Sequence, residues 1–223
     1  MILITGGAGF IGSNLVNHLV KVNKNKIISV DWQNNTNAKY FNSDSILKIS
    51  PNNLKKFLTE NQKSIKLIIH LGAITSTIEK NVNLIIENNI HLSIFLWNWC
   101  VNKRKRFIYA SSAATYGNGE NGFIDDDSDE YLSKLFPMNI YGWSKHIIDK
   151  FIAQKTKDKL SPPQCVGLKF FNVYGPNENH KGEMRSIALK IYQKIKNSSE
   201  VKLFKSHNPS FKDGEQLRDF IYV

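Results

Sequence analysis

Ile2-Leu3-Ile4-Thr5-Gly6-Gly7-Ala8-Gly9-Phe10-Ile11-Gly12 is the stretch that decides the fold. A short apolar strand runs into glycines. From Phe10 to about Val22 the apolar residues Phe10, Ile11, Leu15, Leu19 and Val22 share one helical face. Gly7, Gly9 and Gly12 form a GxGxxG pattern, which is weak evidence by itself. Here a strand precedes it, a helix follows it, and Asp31 closes the next apolar run, Lys26–Asp31. Glycines at these positions let the backbone approach a pyrophosphate, and the helix N-terminus supplies N–H donors and positive dipole. Asp31 is placed to accept a hydrogen bond from a ribose 2′-hydroxyl, which by the simple rule points to NAD.

Outward from this turn, strands and helices alternate. Residues 32–50 read as polar and irregular, and Pro51 opens a short helix. Lys66–His70 and Arg106–Ala110 are continuous apolar strands of the buried parallel kind. A long helix is expected over about Lys80–Val101, and another over Tyr141–Lys157, broken by Ser161-Pro162-Pro163. Cys165–Phe170 is a strand and Lys181–Lys196 a helix. Val201–Phe204 and Asp219–Val223 read as strand-like. The expected class is α/β: a doubly wound parallel sheet of the Rossmann type over residues 1–171, with a partial, smaller substrate lobe over 172–223. The chain stops inside an apparent strand, so it reads as a truncated sequence.

Composition excludes several classes. No apolar run reaches the ~18 residues of a membrane helix, and no signal peptide precedes the first strand. Cys100 and Cys165 lie far apart without a CxxC pattern, which argues against zinc and for a reducing cytoplasm. The acidic run Asp125–Glu130 lacks ligand spacing, so no metal is expected. The net charge is +11, yet 26 of the 30 basic residues are lysines scattered along the chain. That is a solvated basic surface, not a nucleic-acid stripe.

Tyr141-Gly142-Trp143-Ser144-Lys145 is YxxxK at a helix start, with both side chains on one face. Ser112 lies just past the strand Arg106–Ala110. Together they make a Ser–Tyr–Lys set suited to alcohol oxidation. A phenol of pKa ~10 needs about 4 kcal/mol to become a base at neutral pH. An ammonium ~5 Å away contributes about 3 kcal/mol at an effective dielectric of ~20. His70, ending a buried strand, reads as structural.

TGGAGFIGSN (5–14), YASSAATYG (109–117), NIYGWSK (139–145), FFNVYGPNENHKGEM (170–184), KLF (202–204) and RDFIYV (218–223) span the chain. With them it resembles the extended short-chain dehydrogenase/reductase superfamily, and within it the ADP-L-glycero-D-manno-heptose 6-epimerases. The resemblance implies a cytoplasmic homo-oligomeric isomerase that acts on an ADP-heptose nucleotide sugar for lipopolysaccharide synthesis. It also implies NADP, against the simple Asp31 rule; NADP is expected, with NAD open. Cofactor positions would be Gly6, Gly7, Gly9, Phe10, Ile11, Gly12, Asp31, Trp32, Lys39, Leu71, Gly72, Ala73, Ile74, Thr75, Asn89 and Val173, with Tyr141, Lys145 and Lys181 contributing. Ser112, Tyr141, Lys145 and Lys181 would be catalytic, Lys181 as a second acid/base. Ser112, Asn172, Glu183, Lys190, Phe204 and Arg218 would face substrate. Glu183 stands where the pattern has a small hydroxyl residue, and Lys190 where it has His.

Two rival readings remain. Related dehydratases carry an Asp-Glu pair directly after the hydroxyl residue, where this chain has Ala113 and Ala114, and a 4-epimerase is not expected to carry His180-Lys181-Gly182. A non-enzymatic nucleotide binder has no need of Ser112, Tyr141 and Lys145 together.

Overall fold

A computed structural model describes residues 1–22, 25–32, 45–197, 200–206 and 209–223, without the side chains of His180 and Glu183. The chain forms two compact units, Met1–Phe170 and Phe171–Val223. In the first, β1 (Ile2–Thr5), β2 (Ile27–Val30), β3 (Ile46–Ile49), β4 (Leu67–His70), β5 (Arg106–Ser112) and β6 (Cys165–Phe170) form a parallel sheet in the order β3-β2-β1-β4-β5-β6. Helices α1 (Phe10–Val22), α2 (Leu54–Glu60), α3 (Val82–Ile85), α4 (Leu92–Lys103), α5 (Asp129–Leu132) and α6 (Ile140–Lys157) complete it. The order reverses at β1 and β4, so the carboxyl ends of these two strands flank the crevice where such sheets bind ligands.

Why the strands are continuously apolar is visible in their alternation. Leu3, Ile28, Ile68 and Phe107 enter one core cluster with Leu96, Trp97, Ile148 and Ile152. Ile2, Ile4, Ile27 and Ile69 enter a second with Val16 and Ala8. Successive side chains point to opposite faces, and both faces are covered.

Three expectations need correction. The stretch read as irregular contains β3, whose Leu47 and Lys48 are exposed; an outer strand with polar residues carries little apolar signal. The long helix is interrupted by a π-helical turn over Ile86–His91, and it begins at Val82 rather than Lys80. Val201–Phe204 adopts no strand.

The second unit pairs β7 (Asn172–Tyr174) with β8 (Phe220–Tyr222) in parallel. A 3-10 segment, Asn179–Met184, precedes α7 (Ile187–Asn197). A single helix from Lys181 was expected; Gly182, at φ 53° and ψ −124°, breaks it.

A buried polar chain ties the glycine turn to the π-helical turn. Ser93 Oγ donates to the Asn89 carbonyl at 2.5 Å, so it accepts from His70 Nε2 at 2.9 Å. His70 Nδ1 then accepts from Thr5 Oγ1 at 2.6 Å, and Thr5 Oγ1 accepts from the Gly72 N–H at 3.1 Å. This pattern requires neutral His70, and burial lowers its pKa to about 3. Because the folded value lies below the ordinary 6.5, stability is complete above pH 6.5 and drains away as pH falls toward 3. His70→Gln should therefore flatten the acid side of a melting-temperature-against-pH curve, by up to about 1.4 kcal/mol per pH unit relative to the parent. Parallel curves for the two proteins would contradict this.

Candidate active site

At the glycine turn each missing side chain has a different cause. Gly6, at φ +67°, lies so close to Leu71 and Gly72 that a Cβ would meet their backbone at 2.6–2.9 Å. A Cβ on Gly12 would stand 2.0 Å from the Gly6 carbonyl oxygen, and one on Gly7 2.3 Å from Ser29 Oγ. These three let the turn pack on the loop after β4, on β2 and on α1. Gly9 is different: its nearest neighbour would be Gly6 O at 3.2 Å. That contact is tight without being a clash, so the protein's own atoms demand a bare position less at Gly9 than at the other three. No acidic residue occupies the first turn of α1 itself. Asp31 accepts from the Ala8 N–H at 2.9 Å and from the Trp32 N–H at 2.8 Å. A carboxylate has about four acceptor sites, so it can brace the turn and still receive ribose hydroxyls. These residues fit a dinucleotide. Phe10 is buried and Trp32 exposed. Lys39 lies outside the described residues.

Ser112 ends β5 and accepts from the Ala114 N–H at 3.1 Å, starting the 3-10 turn Ala113–Tyr116. Asn139 caps α6 by accepting from the Gly142 N–H at 2.8 Å. Gly142 has no room for a Cβ, which would lie 2.8 Å from Ala114 O. That glycine lets the start of α6 settle on the turn and brings the buried phenol of Tyr141 close enough to Ser112 for the serine to favour its ionised form. One helical turn on, Lys145 is buried and its Nζ donates to the Ala110 carbonyl at 2.7 Å.

The electrostatics depart from the sequence expectation. Burial raises the pKa of Tyr141, and the nearby Ser112 lowers it only in part. Burial also lowers Lys145 to about 8, with Asp149 opposing that fall. A low-dielectric site disfavours phenolate and ammonium alike, so one nearby amine does not by itself make the phenol acidic.

Asn89 is fully buried in the π-helical turn. Its amide accepts from the Ile74 N–H at 2.8 Å and donates to Ile74 O at 3.0 Å and Ser144 Oγ at 2.9 Å. Ser144 Oγ in turn donates to Tyr141 O at 2.7 Å. Asn89 thus brackets the loop Leu71–Thr75 to α6. A π-helical turn gives no signal in apolar periodicity, though such turns cluster at functional sites. Ser144, Asn139 and Gly142 also went unread, although the Asn139 cap is a recognisable helix-start signal.

In the second unit, Asn172 donates to Asp219 O at 2.9 Å and Val173 lies within β7. Lys181, on the 3-10 segment, has its pKa lowered by burial, with Glu178 opposing. Lys190 lies on α7, and the Arg218 guanidinium lies 5.4 Å from the Phe204 ring centre. The Glu183 side chain, like Lys39, lies outside what is described.

The model of the NAD dependent epimerase/dehydratase family matches residues 2–223. The chain belongs to that family. Among its relatives, the ADP-L-glycero-D-manno-heptose-6-epimerase of Fusobacterium nucleatum is 46% identical over 232 residues, covering 100% of this chain and 68% of that protein. The crystal structure of the Helicobacter pylori ADP-L-glycero-D-manno-heptose-6-epimerase superposes with a TM-score of 0.79 at 32% identity, covering 99% of this chain and 68% of that one. The UDP-N-acetylglucosamine 4-epimerase of Methanobrevibacter ruminantium has a TM-score of 0.79 at 26% identity, with the same coverage. As an epimerase/dehydratase family member, the chain has its sheet order, its glycine turn and the Ser112–Tyr141 pair in one consistent frame. No helix of the described residues is long and apolar enough to cross a membrane, and no group of three or more His, Cys, Asp or Glu among them could hold a metal ion.

Two substitutions separate the glycines. Gly12→Ala should lower the melting temperature sharply without any nucleotide, because backbone must move. Gly9→Ala should leave the melting temperature nearly unchanged while weakening NAD(P)H binding at least tenfold by fluorescence titration. Equal thermal losses in the two would refute the distinction. Lys145 has a folded pKa below its ordinary 10.5, so it costs stability at neutral pH, and that cost disappears as pH rises from about 8 to 10.5. Lys145→Met is expected to melt several degrees higher at pH 7, with the gain fading toward pH 10.5. A lower melting temperature at pH 7 would show the burial cost to be offset locally.

Proposed function

We propose that this chain inverts C6″ of ADP-D-glycero-D-manno-heptose, giving the L-glycero epimer for lipopolysaccharide core synthesis, by transient oxidation with tightly held NADP. The observation that carries this is the seating of α6 on the end of β5, where Gly142 packs against Ala114 beside Ser112 and Lys145 reaches the Ala110 carbonyl one helical turn beyond Tyr141, in a chain 46% identical to a heptose epimerase. Ala113 and Ala114, where dehydratases place carboxylates, support epimerisation over loss of water.

The glycine turn, Asp31 and the bracketed loop after β4 would hold the dinucleotide. When bound there, its nicotinamide supplies reversible hydride acceptance. Tyr141 takes the proton from the C6″ hydroxyl as that carbon is oxidised, and Ser112 orients the oxygen by a hydrogen bond. Tyr141 accepts that proton as its phenolate, and Lys145 offsets the phenolate's charge before the transfer. The ketone must then present its other face, so a second proton partner is needed. The sequence resemblance assigns that role to Lys181, whose charged form burial disfavours. The sequence resemblance further supports a homo-oligomer in the cytoplasm and NADP over NAD.

Full-length protein, incubated with ADP-D-glycero-D-manno-heptose and followed by NMR of the heptose, should give the L-glycero epimer without added cofactor. Tyr141→Phe should lower kcat about 10³-fold with KM little changed. Dinucleotide released on denaturation should carry the 2′-phosphate. Normal turnover by Tyr141→Phe, or conversion of a UDP-hexose in place of the heptose, would overturn the reading.

A further inference from the structure

Asp149 lies one helical turn beyond Lys145 and two beyond Tyr141, on the same face of α6. It is buried, and its carboxylate is the hub of a polar cluster within the first unit. Tyr109 donates its hydroxyl to Oδ1 at 3.0 Å. Ser111 donates to Oδ2 at 2.7 Å, and the Lys169 ammonium of β6 reaches the same oxygen at 2.6 Å. Lys169 also donates to Thr115 Oγ1 at 2.7 Å and lies 4.9 Å from the Tyr116 ring centre. Tyr109 and Ser111 flank Ala110, whose carbonyl receives Lys145, and Ser111 precedes Ser112. One carboxylate therefore grips both residues on either side of the lysine's contact. It also joins β5, β6 and α6 next to the residues that would do the chemistry.

We propose that Asp149 is a positioning residue: it sets the register of α6 on β5 that brings Tyr141 to Ser112, and it supplies the negative charge that faces Lys145. This rests on Tyr141 and Lys145 being the working pair. A buried ion pair contributes little net stability and is a poor substitute for apolar packing. An apolar pair would hold α6 and β5 together but would offer Lys145 no counter-charge. Asp149 opposes the burial that pulls Lys145 down to about 8. The groups around Asp149 are Lys145, His146 and Lys150 on α6, Tyr109 and Ser111 on β5, Tyr116 at the end of the 3-10 turn, and Lys169 on β6. Of these, Lys169 is the cation in direct contact, so it attenuates the charge that Lys145 receives.

The test reads Lys145 directly, by NMR titration of full-length protein labelled with 13C-lysine and assigned through a Lys145→Arg sample. Asp149→Asn keeps the shape and removes the charge; the Lys145 midpoint should fall by about one pH unit. Lys169→Met removes the attenuating cation, so the midpoint should rise. Asp149→Glu should restore a value near the parent's. The alkaline limb of kcat for heptose epimerisation should move with the midpoint in each folded variant. A purely structural pin would lower the melting temperature of each variant and leave the Lys145 midpoint where it was, and that result would overturn the proposal. Should Asp149→Asn fail to fold, Lys169→Met tests the same point with the opposite sign: a midpoint that stays put or falls overturns the proposal. The NMR midpoint needs no nucleotide sugar, so its failure is distinguishable from failure of the epimerase reading.

Discussion

Lys145 carries an amine into a dry space beneath the carboxyl end of β5 and gives a hydrogen to the Ala110 carbonyl. A cation taken out of water is among the most expensive things a fold can hold, and the surroundings are arranged around that cost. The carbonyl it meets belongs to a strand end, held from below by Asp149 through Tyr109 and Ser111. The helix bearing it is seated by an asparagine cap and by a glycine too tightly packed for any side chain. Loosening any of these would move the phenol away from Ser112.

The dinucleotide side of the site obeys a second constraint, close backbone approach. Gly6 touches Gly72 across the gap between β1 and β4, so two loops from neighbouring strands form one floor. His70, Thr5 and Ser93 pin that floor from inside the sheet, and Asn89 pins it from the helix side. Through Ser144 the same asparagine reaches the backbone of Tyr141. The glycine floor and the start of α6 therefore share one hydrogen-bonded frame within the first unit.

Much of this was legible in the chain. β1, β2, β4 and β5 announce themselves as apolar runs, because strands covered on both faces leave no polar alternation. The two outer strands are more exposed; β6 is still legible from its apolar residues, whereas β3 is four residues long, contains Lys48 and follows a polar stretch. Gly182 broke a helix that the surrounding residues favour, and Val201–Phe204 formed no strand although its residues suit one. Propensity is a local quantity, and pairing partners come from elsewhere in the chain.

The alternation of elements, the glycine turn and the identity of Ser112, Tyr141 and Lys145 can be read along the chain, since spacing along a helix or after a strand is a local property. So can the family resemblance. Which way the charges lean emerges when the chain folds. Burial raises Tyr141 and lowers Lys145, and Asp149 and Lys169, twenty residues apart, meet as a pair beneath them. Desolvation and long-range charge depend on what surrounds a group in three dimensions, and no spacing rule contains that information.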